Sequence, residues 1–183
     1  MTGPFASRWT RIVALLAVLA LLALALWFDT SVSPVTRDRP VDEYPDLFVG
    51  GATCPSRGDA LENARRSEEL ARLRADRYAY DPRDGVRAVL LYQEAESCYR
   101  AAGYEIGLHR SHRAASGLAV QVRTDYAAAR LNLLNALERE RWSVALSEIR
   151  RLLLLTDHIG RHEYVDWLNE ITGRVAVKAS AAS

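Results

Sequence analysis

DPRDGVRAVLLYQEAESCYRAAG, residues 81–103, decides the fold class. It opens on Asp81-Pro82. An aspartate side chain accepts from the orphan amides of a first helical turn, and proline, with no amide hydrogen to lose, is preset for the first helical position. It closes on Gly103, which can adopt the positive φ that commonly follows a helix end. Between these signals Tyr92, Ala95, Tyr99 and Ala102 stand at spacings of three, four and three, all on one helical face. The stretch predicts a helix from Asp81-Pro82 to Ala102.

Four more segments share this pattern. Upstream, from Asp59 to about Tyr78, Leu61, Ala64, Glu68, Ala71 and Ala75 recur at three- and four-residue intervals, and Glu62 and Arg66 sit one turn apart. Downstream, Leu118, Val122, Tyr126, Ala129, Leu133 and Leu137 form one apolar stripe on a long helix of roughly 113–139, its start blurred by Gly103, Gly107 and Gly117. Helices follow at about 142–156 and 161–177, the last with Tyr164, Leu168 and Ile171 on one face. Residues 178–183 are small and polar and are expected to fray. No alternating strand pattern occurs, so the class is all-α.

Within the fourth helix Trp142, Ala145, Ile149 and Leu152 repeat the three, four, three spacing. The pattern aromatic-x-x-Ala-x-x-x-aromatic-x-x-Ala resembles the second helix of a tetratricopeptide repeat, over about Gly85 to Thr156. The Trp, Leu-Gly and Tyr signature of that repeat's first helix is absent. Ala95 and Ala145 lie 50 residues apart, against a repeat period of about 34. The resemblance implies helical hairpins whose small alanines let helices approach closely, here in a bundle of about five helices spanning 58–177.

Ahead of this domain the composition changes. The run IVALLAVLALLALALWF, Ile12 to Phe28, has no charge and no helix breaker, and residues 9–28 supply the length of ~20 residues that a helix needs to cross hydrocarbon. Trp9, Trp27 and Phe28 sit at its ends, where amphipathic rings favour the interface. Ala23-Leu24-Ala25 resembles a signal cleavage site, but the run outlasts the ~7–15 apolar residues of a signal peptide. The expectation is therefore a single transmembrane helix seated in lipid. Arg8 and Arg11 precede it with no acidic neighbour, whereas Arg37 and Arg39 are mixed with Asp29, Asp38, Asp42 and Glu43. That bias places residues 1–8 in the cytoplasm and the C-terminal domain in a periplasm. A bacterial source fits the near absence of lysine, Lys178 being the only one. Residues 29–57, with Pro34, Pro40, Pro45, Pro55 and Gly50-Gly51, read as an extended linker. Its Tyr44, Leu47, Phe48 and Val49 are apolar enough to dock on the domain.

A net charge of +1 gives no drive toward nucleic acid. The two cysteines, Cys54 and Cys98, can pair in an oxidising compartment, clipping linker to domain by a bond worth ~3–4 kcal/mol in the chain-entropy picture. His158 and His162 are four apart, as two zinc ligands on a helix would be, but Gly160 falls between them; His109 and His112 sit among arginines. All four read as solvated, with no metal or cofactor expected. Arg57-Gly58-Asp59 reads as a turn whose aspartate caps the first helix. No nucleophile elbow, phosphate-cradling loop or carboxylate pair is identifiable, so no catalytic residue is expected. The function expected is a single-pass inner-membrane scaffold or adaptor whose periplasmic domain binds protein partners in a cell-envelope assembly. The alternative is a single-pass sensory or regulatory protein that binds a small ligand. A partner face is expected on the flank of the long helix, at Arg123, Arg130 and Asn132.

Overall fold

Local signals set five helices among the described residues. The computed structural model describes residues 43–181, which fall within one compact unit, Asp38–Ser183. The expected segments 1–8 and 9–28, and positions 29–42 of the expected 29–57 linker, lie outside the described residues, as do 182–183. The helices are α1 (Ala60–Ala75), α2 (Pro82–Ala101), α3 (Glu105–Glu138), α4 (Trp142–Leu155) and α5 (Glu163–Ala181), and no strand occurs among the described residues. The all-α class holds. None of these helices is long and apolar enough to cross a membrane.

The end signals act as their chemistry dictates. The Asp59 carboxylate accepts the Glu62 amide at 2.9 Å, and Asp81 accepts the Arg83 amide at 3.0 Å with Pro82 in the first turn. At the end of α2, Gly103 takes φ 67°, and the amides of Gly103 and Tyr104 donate back to the carbonyls of Arg100 and Tyr99 at 3.2 and 3.0 Å. The end of α3 repeats this hydrogen-bond pattern with Glu140 at φ 53°, a left-handed position filled without glycine.

Two boundaries differ from expectation. The long helix starts at Glu105, not near 113, because Gly107 is required by packing and not by a turn. A Cβ there would lie 2.7 Å from ring carbons of both Tyr99 and Tyr104. And α5 continues through residues 178–181, which are helical and not frayed. The Lys178 ammonium lies 4.3 Å from the centre of the Trp142 ring, joining the end of α5 to the start of α4.

Short turns make successive helices antiparallel, and each packs chiefly on its neighbours in the chain, with α2 also touching α4. α3 has 34 residues, a length of about 50 Å. Its first half carries the α1–α2 pair and its second half the α4–α5 pair. Ala95 closes a buried cluster with Ala64, Cys98 and Tyr99, and Ala145 is equally inaccessible. Tyr92, Ile149 and Leu152 are buried too. Ala102 is not: it is the exposed C-cap of α2, since that helix ends one residue earlier, and Trp142 is only half-buried. The alanine-to-aromatic spacing thus marks packed positions along most of its length. Ala95→Leu and Ala145→Leu should each overpack a helix contact and cost ~1–3 kcal/mol. Unchanged melting temperatures for both variants would refute this.

Candidate partner groove

Residues 43–58 form no helix or strand, as their prolines and glycines dictate, yet they form a strap and not a free linker. Pro45, Leu47 and Phe48 are buried, Leu47 keeping 2% of its surface, while Val49 is exposed. His158 donates from Nε2 to the Leu47 carbonyl at 2.9 Å. The Arg130 guanidinium lies 3.7 Å from the centre of the Tyr44 ring, and that of Arg123 lies 5.0 Å from the centre of the Phe48 ring. Tyr44 also meets Tyr164 edge-on at 5.1 Å. Further along, the Cys54 amide donates to Ser97 Oγ at 3.1 Å, and Cys54 is disulfide-bonded to Cys98 with Cα atoms 4.7 Å apart.

This strap changes the account of the expected partner face. Arg123 and Arg130 are engaged by the chain's own Phe48 and Tyr44, and Arg123 also lies 3.7 Å from Asp46. Asn132 alone of the three is exposed without such a contact. Charge reversal at Arg130 would unseat Tyr44 and is not a clean surface probe. The histidines are local fasteners as well. His158 holds Leu47, His162 Nδ1 accepts the Tyr164 amide at 3.1 Å at the start of α5, and His112 Nδ1 meets Glu96 at 3.2 Å. No cluster of metal-ligating side chains exists among the described residues.

A different surface brings together residues that are far apart in sequence. α1 and α3 run parallel to each other because both are antiparallel to α2. Along α1, Arg65, Glu68, Glu69, Arg72 and Asp76 share one face; along α3, Arg110, Ala114, Leu118, Gln121 and Asp125 share another. These faces are the walls of one groove. At its middle Ala71, Ala75, Tyr92, Ala115 and Leu118 pack together as a saddle. On one side lies an open cleft of about 570 Å³ with Tyr92 and Tyr99 as floor and Tyr104 at the rim. On the other lies a cleft of about 440 Å³ bordered by Asp76, Tyr80, Asp125 and Arg151.

Paired charges fix the groove's width. Arg110 of α3 grips Glu68 of α1 through Nε and Nη2 at 2.5 and 2.6 Å, and Tyr99 donates its hydroxyl to the same carboxylate at 2.6 Å. The Arg110 guanidinium holds Glu68 below the usual carboxylate range. Burial, reinforced by the Glu68 charge, pushes Tyr99 up to about 12. At the far end Tyr78 donates to Asp125 at 2.6 Å, and burial followed by that hydrogen bond raises the phenol well above its ordinary value. By contrast Arg65, Glu69, Arg72 and Asp76 are exposed and make no ion pair among the described residues. The arrangement can grip an elongated, charged segment. Arg110 lies ahead of the start expected for the long helix, near 113, so the sequence did not set it opposite Glu68.

No protein-family model matches the chain, and no curated protein or solved structure matches it at a significant level.

Proposed function

We propose that this chain is a single-pass bacterial inner-membrane protein, held in lipid by residues 9–28, whose periplasmic helical domain is a scaffold that captures a segment of a partner protein in the groove between α1 and α3. The groove is the observation that carries the reading. Tyrosine and arginine, which dominate binding energy at interfaces, line it. The Glu68–Arg110 and Tyr78–Asp125 pairs hold it in shape, so little ordering is lost on binding. The resemblance of residues 85–156 to a tetratricopeptide helix supports the reading as a fold-level analogy, because stacked hairpins of that kind present such a surface. The Cys54–Cys98 bond suits an oxidising compartment, in line with Arg8 and Arg11 ahead of the apolar run. A small-ligand sensor is less favoured, since both clefts are open where a ligand site would enclose most of its ligand.

Two measurements test this in membranes. Alkaline phosphatase fused after Ser183 should be active, and an inactive fusion beside a working cytoplasmic reporter would remove the periplasmic assignment. A photo-crosslinking benzoylphenylalanine at position 72, on the groove wall, should give a discrete adduct that the same group at position 150, on α4, does not give. Identical adduct patterns from both positions would rule out the groove as the capture surface.

A further inference from the structure

We propose that α3 is also a self-association surface, its unpartnered face pairing antiparallel with the same face of a second copy of this chain. This inference does not rest on the groove. The buried stripe of α3, with Ala115, Val122, Ala129 and Ala136, faces the core. On the opposite side Arg113, Val120, Thr124, Ala127, Leu131 and Glu138 fall at spacings of seven, four, three, four and seven. Alternation of three and four is what keeps one seam in line along a pair of helices. All six are exposed except Ala127, which is half-buried. Val120 keeps 64% of its surface and Leu131 keeps 68%. Singly such residues need no explanation; here they share one line.

Charge fixes the direction. Arg113 and Glu138 are exposed and make no ion pair among the described residues. Glu138 also stands at the carboxyl end of α3, whose last turn holds no basic residue, so the helix dipole disfavours its charge. A two-fold axis at the level of residues 125–126 sets positions equally distant from it opposite each other. Val120 then meets the partner's Leu131, Thr124 meets the partner's Ala127, and Arg113 meets the partner's Glu138, each contact occurring twice. A parallel pairing would instead set Arg113 against Arg113 and Glu138 against Glu138. The Thr124 hydroxyl already donates to the Val120 carbonyl at 2.9 Å, so covering it strands no donor. The groove wall of Arg110, Ala114 and Gln121 lies about a quarter turn round α3, so the seam leaves it free. Two chains tethered in one membrane meet at a raised effective concentration, which suits a seam of modest size.

The test uses the full chain in density-matched detergent. Sedimentation equilibrium should show a reversible dimer. Leu131→Arg, which puts an unpaired charge into the seam, should weaken it at least ~30-fold. Arg113→Glu and Glu138→Arg should each weaken it about fivefold, because each sets like charges opposite one another at two places. The two changes together should return it to within about twofold of the parent. Within one chain these positions lie about 38 Å apart along α3, so only a second copy can couple them. In membranes, chains carrying Val120→Cys should crosslink to differently tagged chains carrying Leu131→Cys and not to themselves, since position 120 of the two copies would lie about 16 Å apart along the seam, beyond disulfide reach. Cys54 and Cys98 are already bonded to each other and do not compete. A monomer at every concentration would overturn the proposal. So would a dimer indifferent to Leu131→Arg, one that the double charge exchange fails to restore, or Val120→Cys chains that crosslink to themselves as readily as in the mixture.

Discussion

Cys54→Ala with Cys98→Ala should destabilise the domain by about 4 kcal/mol and lower its melting temperature by roughly 10 °C. The bond joins residues separated by 44 positions. In the chain-entropy picture a loop of that size removes ~4 kcal/mol of disorder from the unfolded state, so losing it restores that disorder. Alanine is the right probe because Cys98 is fully buried, and a serine hydroxyl there would add a separate desolvation cost. The folded strap would persist on its other fastenings, Leu47, Phe48 and the His158 hydrogen bond. The loss should thus appear in equilibrium stability with the far-ultraviolet helical signal retained. Two free thiols per chain under denaturing, non-reducing conditions, or a variant as stable as the parent, would contradict it.

Gly85→Ala should be nearly as costly, at about 3 kcal/mol. Glycine inside a helix ordinarily gives up ~1 kcal/mol relative to alanine, so the naive expectation is a gain. Here a Cβ would lie 2.2 Å from a carbon of the Tyr78 ring. That ring cannot simply swing away, since its hydroxyl donates to the Asp125 carboxylate at 2.6 Å. Overpacking costs ~1–3 kcal/mol and a hydrogen bond to a charged group ~1.5–3 kcal/mol, which together outweigh the propensity gain. Gly117 supplies the internal control. It lies within α3 with nothing near its Cβ direction, so Gly117→Ala should gain up to ~1 kcal/mol. Urea melts of the two variants should shift in opposite directions, and a Gly85→Ala protein matching the parent would show that Tyr78 has room to move.

The contrast between these glycines explains how far the sequence could be read. Helix starts were legible where a cap is local chemistry, as at Asp59 and Asp81-Pro82, and so were the core stripes of α3 and α5. Gly107 misled because a glycine chosen for the nearness of two tyrosine rings looks the same in sequence as one chosen for a turn. The α3–α4 turn was legible too, between 139 and 142, although Glu140 fills the left-handed position that glycine usually signals. Arg123 and Arg130 read as free because the aromatic rings over which they lie belong to a proline-rich stretch about 80 residues upstream. The groove was hidden for the same reason. Glu68 and Arg110 lie 42 positions apart, and only the antiparallel path through α2 sets their helices side by side.

The strap and its disulfide also determine where mechanical load travels. A pull entering from the amino-terminal side of residue 43, as the proposed anchor at residues 9–28 would apply it, first meets Tyr44 on Arg130, then Leu47 and Phe48. These fastenings are in series and can peel one after another. At Cys54 the force crosses a covalent bond to Cys98 and enters α2 directly. The stretch from Pro55 through α1 lies off that path. One wall of the groove is thereby shielded from tension on the tether, and a partner seated between α1 and α3 would remain gripped while the strap was being stripped away.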